Sequence, residues 1–194
     1  KCLNSLKRLR EGKLEFFQRS AGSYHPIWHW STKDRDCKKA GINSTMAKRA
    51  HKIFAYGSNM NLLDLRRWLG LNDFQCPQFI PAAPARLVDY ELVWNYWSPA
   101  RNGGAANIQK KKNSQVLGAI LEVDAPLLYA IDQKEGHPTR YSRFPAPREC
   151  FQLETGVTTH AWIYQVTPEF RSPKPTLPTQ AYMNLLIEGA QTLN

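Results

Sequence analysis

Two carboxylic acids, Asp132 and Glu135 of the 194-residue chain, have the residue types needed for acid–base chemistry. Asp132 and Glu135 lie three residues apart, and Gly136 follows as the expected end of a helix. The helix dipole disfavours a carboxylate at a C-terminus, so Glu135 is an unusual choice for a solvated helix end. A partly buried acid or base would explain that choice. A simple solvated helix end is the alternative.

A second candidate is the loop made of Tyr56, Gly57, Ser58, Asn59 and Met60. An apolar strand is expected before this loop and a helix after it. A strand, a tight turn and a helix start leave backbone N–H groups without partners, and such groups bind carboxylates or phosphates. The loop has neither the lysine of a Walker loop nor the glycine spacing of a dinucleotide-binding loop. A purely structural role remains the alternative.

Hydrophobic periodicity and capping residues predict the elements that position these candidates. Helices are expected over residues 62–69 and 127–134 and after Thr179, with capping side chains at Asn61, Asp124 and Thr179. Strands are expected over residues 53–56, 86–96, 105–109, 115–123, 150–153 and 158–166. Strands paired through hairpins, with helices between them, indicate an antiparallel α+β domain.

Finer features are predicted for three of these segments. Gly70 is expected to end the first helix. Residues 110–113, Lys-Lys-Lys-Asn, are expected to form a hairpin turn with solvated charges. The alternation in the second strand places five side chains on one face: Val88, Tyr90, Leu92, Trp94 and Tyr96.

The charge distribution divides the 194-residue chain, whose formal net charge is +10, into two parts. Residues 1–50 carry twelve Lys or Arg and four Asp or Glu, whereas residues 51–194 carry fourteen and twelve. We therefore expect a basic, poorly ordered extension over residues 1–50, with Met46 as a translation start, and one domain over residues 51–194. Tyr24, Trp28 and Trp30 interleave with basic residues, so a nucleic-acid-binding arm is the alternative for the extension. The near-neutral domain argues against a nucleic-acid partner.

Several classes of protein are excluded by composition. No apolar run reaches the ~18 residues of a membrane helix, and no secretory apolar stretch follows the basic N-terminus. The cysteines lack the spacing of a zinc site, and reduced thiols in a cytoplasmic protein are expected. There are four of them: Cys2, Cys37, Cys76 and Cys150.

The combination of motifs resembles the γ-glutamylcyclotransferase-like family, which includes the AIG2-like proteins. The resemblance extends over about residues 52–194 and does not include residues 1–50. Four stretches carry it, in the family's order: Tyr-Gly-Ser-Asn at 56–59; the strand at 85–92 with Gly103 and Gly104; the strand at 116–121 leading to Asp-Gln-Lys-Glu-Gly at 132–136 and Tyr141; and Pro-Thr-Gln-Ala-Tyr at 178–182.

This resemblance implies a small mixed or antiparallel β-barrel-like core with flanking helices. It also implies a reaction in which the free α-amine of a γ-glutamyl group attacks its own γ-carbonyl. The products are 5-oxoproline and a free amine, and no metal or organic cofactor is required. Closure of a five-membered ring needs mainly a held conformer and a proton carrier. Glu135 matches the family's catalytic glutamate as general acid and base. A catalytically inactive ligand-binding or regulatory protein on the same fold is the alternative.

The resemblance also implies which residues bind a small-molecule γ-glutamyl substrate. Residues 56–60 would hold its α-carboxylate or the developing oxyanion through backbone N–H groups. Gly103, Gly104, Tyr141 and Tyr182 are expected near the substrate, although Tyr182 suits packing equally well. The loop reads Ser-Asn-Met instead of the Ser-Leu-x-Trp of the glutathione-specific branch, which argues against glutathione. The leaving amine stays open: an amino acid, a polyamine, a lysine side chain or an antibiotic intermediate. A monomer or a homodimer is expected.

Overall fold

The computed structural model describes residues 51–74 and 82–193. The predicted basic extension, with Cys2 and Cys37, lies outside the described residues, as does Cys76, and the proposed division at residue 50 stays a prediction. Three α-helices occur in the described residues: α1 (Leu62–Leu71), α2 (Ala125–Glu135) and α3 (Gln180–Gln191). Seven strands occur there: β1 (His51–Ala55), β2 (Ala83–Ser98), β3 (Gly103–Val123), β4 (Tyr141–Arg143), β5 (Arg148–Gln152), β6 (Thr158–Ala161) and β7 (Tyr164–Val166).

The strands form two antiparallel sheets, which confirms the predicted α+β class. The larger sheet has the order β1-β3-β2-β5-β6, and β4 pairs with β7 in the smaller one. A single parallel bridge joins Ile53 of β1 to Trp162, the residue that follows β6. Its hydrogen bonds run from Phe54 N–H to Trp162 O (2.8 Å) and from Trp162 N–H to Lys52 O (2.7 Å). In the described part of the chain no continuous ladder closes the sheet, so its barrel-like character is limited to this bridge.

All three predicted helix caps are present. The side chains of Asn61 and Asp124 each accept a hydrogen bond at 3.0 Å from the N–H three residues further on. Thr179 accepts the corresponding bond at 3.2 Å. Each cap satisfies an N–H group that the first helical turn cannot. The caps therefore fix where the chain enters the three helices that surround the site.

One apolar cluster joins the sheet to the helices. Its side chains come from the inner face of the sheet and from the apolar faces of the helices. Side chains repeat on one face every two residues in a strand and about every 3.6 residues in a helix. None of the helices in residues 51–74 and 82–193 is long and apolar enough to cross a bilayer. The largest fully buried side chains are Phe54, Ile53, Leu65, Leu69, Leu87, Ile108, Ile120, Leu121, Leu127, Ile131, Ile163 and Leu186.

The hairpin turn predicted at residues 110–113 is wrong. These residues belong to β3, whose two halves both pair with β2, so the chain keeps its direction there. A register shift absorbs the extra residues: Asp89 and Asn113 have φ of 62° and 63°, and the Asp89 carboxylate accepts the Asn113 N–H at 2.9 Å. The true turn between β2 and β3 is the 3-10 helix Pro99–Arg101 followed by Asn102, whose φ is 47°. An Asn-Gly pair at 102–103 was the signal for it.

Two further predictions need correction. Gly70 does not end α1, which continues to Leu71 and is capped by Asn72. The predicted single face of β2 is interrupted by register shifts next to Asp89 and between Val93 and Tyr96. As a result Val88 is exposed while Tyr96 is buried. A bulge shifts the alternation by one residue, and a pattern with period two cannot reveal it.

The segment predicted as one strand over residues 158–166 is divided between the two sheets. Residues 158–161 form β6 beside β5, and residues 164–166 form β7 beside β4. Trp162 and Ile163 lie between them, and Trp162 makes the bridge to β1. The Pro-rich stretch at 168–178 then passes the register shift between Val93 and Tyr96 of β2. The Ser172 N–H donates a hydrogen bond to Asn95 O there, at 2.6 Å.

Candidate functional site

A cavity of about 140 Å³ lies between the end of β1, the end of α2 and the start of α3. Seven of the ten residues singled out from the sequence line it. Trp68, Ser98, Arg101, Lys134, Arg140 and Tyr164 are lining residues that the sequence analysis did not single out. The seven expected residues are Tyr56, Gly57, Ser58, Asn59, Glu135, Tyr141 and Tyr182.

Met60, Gly103 and Gly104 lie outside the lining. Met60 is buried in the apolar cluster and its N–H donates to Gly57 O at 3.0 Å, which closes the 3-10 turn Ser58–Met60. A Cβ on Gly104 would overlap the carbonyl of Thr176. The two glycines therefore allow the segment before α3 to approach β3, and they act on the site by placing that helix.

The loop offers fewer free N–H groups than expected. The N–H groups of Met60 and Asn61 are used inside the turn. The Ser58 N–H faces the hydroxyl of Tyr182, to which Ala106 N–H also donates at 3.4 Å. Gly57 has φ of −121°, outside the left-handed region, so the backbone conformation does not require a glycine here. What the glycine provides is open space beside the Tyr182 hydroxyl, where another residue would place a side chain.

Glu135 is the last residue of α2, as the sequence analysis expected. Gly136 follows in the left-handed conformation with φ of 68°. The N–H of Gly136 donates to Gln133 O at 3.1 Å, and the N–H of His137 donates to Asp132 O at 2.9 Å. These bonds satisfy carbonyls at the helix end and terminate α2 sharply. The termination places Glu135 at the cavity wall.

A chain of polar contacts connects Glu135 to the loop. Asn59 Nδ2 donates to Glu135 Oε1 at 2.8 Å. Lys134 Nζ donates to Asn59 Oδ1 at 2.6 Å and to Ser58 Oγ at 3.4 Å. Lys134 Nζ also lies 3.8 Å from Asp64 Oδ2, which accepts a 3.0 Å bond from Arg101 Nη2. No local pattern in the sequence indicated the contributions of Lys134, Asp64 and Arg101.

Five tyrosines line the cavity, Tyr96 among them. Burial raises the pKa of four hydroxyls there, those of Tyr56, Tyr141, Tyr164 and Tyr182. The pKa of Tyr182 is raised to about 12, chiefly by burial. Burial and the nearby negative charge of Glu135 raise the pKa of Tyr56 well above its usual value. Burial likewise raises the pKa values of Tyr141 and Tyr164. All four hydroxyls are therefore neutral O–H groups at physiological pH.

The tyrosine hydroxyls differ in whether their protons are already used. Tyr56 Oη donates to Tyr164 O at 2.6 Å, and Tyr141 Oη donates to Ala106 O at 2.8 Å. Tyr164 Oη donates to the Asp132 carboxylate at 2.6 Å. No described residue accepts the O–H proton of Tyr182. Of these four tyrosines, Tyr182 is the one whose O–H can be donated to a ligand; the hydroxyl of Tyr96, which also lines the cavity, likewise makes no hydrogen bond to a described residue.

Asp132, the other carboxylate of the first motif, has a structural position. It is buried, it accepts the Tyr164 hydroxyl, and its Oδ1 lies 3.0 Å from Arg143 Nε. The angle at Arg143 Nε does not suit a hydrogen bond, so we regard this contact as a charge pair. Asp132 thereby ties α2 to β4 and β7. A substitution at Asp132 would therefore disturb the fold, and Asp132 is unsuitable as a control residue when Glu135 is mutated.

Metal binding and thiol chemistry find no support in the described residues. No group of three or more His, Cys, Asp or Glu side chains there is placed to hold a metal ion. Cys150 is a buried free thiol whose pKa burial raises to about 12. Such a thiol is a weak nucleophile because very little of it is thiolate.

Comparison with known proteins decides the family. The family model described as "Gamma-glutamyl cyclotransferase, AIG2-like" matches residues 53–184. The chain belongs to this family. The match contains the loop, β2, β3, Glu135 and Tyr182, and thus every residue that lines the cavity. No curated protein matches the chain significantly.

Solved structures show that the fold is also that of γ-glutamyl cyclotransferases. The human uncharacterized protein loc79017 is 22% identical with a TM-score of 0.60, and the match covers 73% of this chain and 79% of that one. A structure named gamma-glutamyl cyclotransferase gives 22% identity, a TM-score of 0.59 and the same coverage. YkqA from Bacillus subtilis gives 19% identity and a TM-score of 0.58, over 74% of this chain and 49% of that one. At these identities the likeness concerns the fold alone.

Proposed function

We propose that the chain is a cyclotransferase that converts a γ-glutamyl amide or γ-glutamyl amino acid to 5-oxoproline and a free amine. The observation that carries the proposal is the 2.8 Å hydrogen bond from Asn59 to Glu135 at the cavity wall. It joins the carboxylate and the loop that the sequence singled out independently, although 76 residues separate them. Family membership supports the same class of reaction.

The proton carrier in this reaction is Glu135. The substrate's α-ammonium cannot attack, so it first transfers a proton to the carboxylate. The neutral amine then attacks the γ-carbonyl carbon, a C–N bond closes the five-membered ring, and the carbonyl oxygen becomes an oxyanion. Glu135 returns protons to the leaving nitrogen as its C–N bond breaks. In total the attacking nitrogen loses two protons and the leaving nitrogen gains two, so Glu135 ends as a carboxylate.

Tyr182 is suited to stabilise the oxyanion or orient the carbonyl. Its O–H proton has no acceptor among the described residues, and its oxygen lies 3.4 Å from the position of a Cβ on Gly57. A substrate oxygen in the space beside Gly57 would meet this hydroxyl. A neutral buried donor aimed at a developing negative charge is the arrangement that lowers such a barrier most.

The charges around the cavity favour an acidic substrate. Lys134, Arg101 and Arg140 line it with Glu135, and Asp64 lies against two of these cations. The guanidinium of Arg140 lies over Gly136, in the space that a Cβ would take, and no described residue accepts a hydrogen bond from it. Arg140 is therefore the lining cation that is available to bind a carboxylate of the substrate.

The size of the cavity fits the γ-glutamyl group alone. Pockets for drug-sized ligands measure roughly 300–1,000 Å³, whereas this cavity measures about 140 Å³. A group the size of one amino acid fits inside, and the leaving amine would extend through the mouth. Such a site holds the reacting part of the substrate in a folded-back conformer, which supplies most of what ring closure needs.

Release of 5-oxoproline from a panel of γ-glutamyl compounds tests the proposal. The panel should contain γ-glutamyl amino acids, γ-glutamyl polyamines and lysine side-chain adducts. Glu135→Gln keeps an oxygen for Asn59 but cannot carry the proton, so turnover should fall by about 10²–10⁴-fold with little change in substrate affinity. Glu149→Gln is the matched control, because its carboxylate is 73% exposed and pairs only loosely with His160.

Two outcomes would contradict the proposal. An active Glu135→Gln enzyme would place the base elsewhere. Binding of γ-glutamyl compounds by the wild-type chain without any release of 5-oxoproline would favour the alternative, an inactive ligand-binding or regulatory protein on the same fold.

A further inference from the structure

Lys134 is a buried amine in a position that costs free energy. Its side chain is 7% exposed. Burying an ammonium group is unfavourable unless charged or polar partners surround it, and burial lowers the pKa of Lys134 accordingly. Its partners are Asn59 Oδ1 at 2.6 Å, Ser58 Oγ at 3.4 Å and Asp64 Oδ2 at 3.8 Å. A lysine whose role was to solvate the helix surface would leave its ammonium in water.

The contact with Lys134 fixes which way the Asn59 carboxamide points. Oδ1 accepts from the ammonium, so Nδ2 must face Glu135 Oε1, 2.8 Å away. Turning the amide over would set Nδ2 against the ammonium and Oδ1 against the carboxylate. Both charge-assisted hydrogen bonds would then be lost. With Lys134 in place, only one of the two amide orientations is favourable.

The fixed amide in turn distinguishes the two oxygens of Glu135. Oε1 is engaged by Asn59, and no described residue donates a hydrogen bond to Oε2. A proton taken from the substrate therefore goes to Oε2, because a proton on Oε1 would compete with the Asn59 N–H for the same lone pairs. In the proposed reaction the same oxygen would return the proton to the leaving nitrogen.

We infer that Lys134 is a positioning residue, which orients the Asn59 carboxamide so that Glu135 carries its proton on Oε2. This inference rests on the proposed function for its catalytic consequence. Asp64 completes the arrangement behind the cavity lining: it lies beside Lys134 and accepts a hydrogen bond from Arg101. Lys134 touches neither the reacting carbonyl nor the amine in this scheme and acts through Asn59.

Lys134→Met is the variant that tests the inference, since it keeps the length of the side chain and removes the donor. The Asn59 amide then loses its fixed orientation, and kcat should fall by about 10- to 100-fold while KM changes little. In an Asn59→Leu background the same substitution should cost less than about twofold, because the residue it acts through is gone. Lys111→Met is the control, since Lys111 is 56% exposed, pairs with Glu91 and is not among the residues that line the cavity.

A second measurement does not depend on activity. In 15N-labelled protein the Asn59 side-chain NH₂ protons should show nuclear Overhauser contacts to the Glu135 side chain, and Lys134→Met should abolish them. Persistence of these contacts in Lys134→Met would overturn the inference whatever the substrate is. Equal losses of kcat for Lys134→Met in the wild-type and Asn59→Leu backgrounds would overturn it too. Absence of 5-oxoproline release from the wild type, with the contacts behaving as expected, would refute the proposed function and leave the positioning role of Lys134 standing.

Discussion

Gly57 offers a sharp test of where the substrate lies. A Cβ built there lies 3.4 Å from Tyr182 Oη and 3.6 Å from Ala106 Cβ, both ordinary contact distances. The φ of −121° is open to any residue. Gly57→Ala should therefore fold normally. Its methyl group, however, would stand in front of the Tyr182 hydroxyl, in the space we assign to a substrate oxygen.

The size of the expected effect follows from the size of the cavity. A methyl group takes up about as much space as a water molecule, ~30 Å³, in a cavity of about 140 Å³. The substrate carbonyl must then shift by about 1 Å relative to Glu135, and misplacement on that scale costs on the order of 10²-fold in rate. Gly57→Ala should lower kcat/KM about 100-fold in the 5-oxoproline assay. Its thermal midpoint should be unchanged or slightly raised.

Two other glycines serve as matched controls for the same substitution. Gly70 lies inside α1 with nothing within 4 Å of a built Cβ, so Gly70→Ala should stabilise the fold by about 0.5–1 kcal/mol and leave activity intact. Gly104→Ala would overlap the carbonyl of Thr176 and should destabilise the whole domain. If Gly57→Ala folds and keeps the wild-type kcat/KM, the substrate does not occupy this space and the assignment of Tyr182 as its donor is wrong.

Three further predictions concern other residues of the domain. Tyr182→Phe keeps the ring against Trp94 and should lower kcat/KM about tenfold, the value of one hydrogen bond to a developing charge, whereas Tyr129→Phe on the surface should change nothing. Arg140→Met should raise the KM of γ-glutamyl amino acids and γ-glutamyl polyamines alike, because both carry the α-carboxylate of the γ-glutamyl group, and an unchanged KM would show that Arg140 does not bind that carboxylate. Cys150 should resist alkylation at pH 8, because a thiol with a pKa of about 12 is roughly 10⁻⁴ thiolate there; peptide mapping should find it labelled only after unfolding.

The parts of the fold that the sequence predicted are those governed by local rules. The helix caps at Asn61, Asp124 and Thr179 could be predicted because these residue types are preferred just before the first turn of a helix. All three side chains accept a hydrogen bond from the N–H three residues further on. The long β3 could not be predicted in this way. Three lysines in a row suggest a solvated turn, yet they continue a strand because both of its halves find the same partner, β2. Pairing over such distances depends on the whole sheet and leaves no mark in a local window.

In the candidate site, too, local sequence predicts some features and long-range contacts determine the others. Glu135 could be selected as a candidate from the sequence because its neighbours define a helix end at which the dipole disfavours a carboxylate, and the structure places it at the cavity wall. Asp132 carries a carboxylate three positions earlier, and the sequence alone presents it beside Glu135 as a candidate acid or base. Only the fold shows that it is buried against Tyr164 and Arg143. A carboxylate's role is set by what surrounds it, and that surrounding comes from strands more than ten residues away.

Lys134 shows why this division matters for mechanism. In the sequence it stands between a glutamine and a glutamate at a helix end, where a lysine suits the dipole and the solvent alike. In the fold the same side chain turns inward, because the loop after β1 brings two oxygens, Ser58 Oγ and Asn59 Oδ1, within hydrogen-bond reach of its ammonium. The charge that a local pattern assigns to the surface thereby becomes the group that orients Asn59 toward Glu135. A search of related chains for active members should therefore compare the pair at positions 59 and 134, since a glutamate in place does not by itself determine which of its oxygens carries the proton.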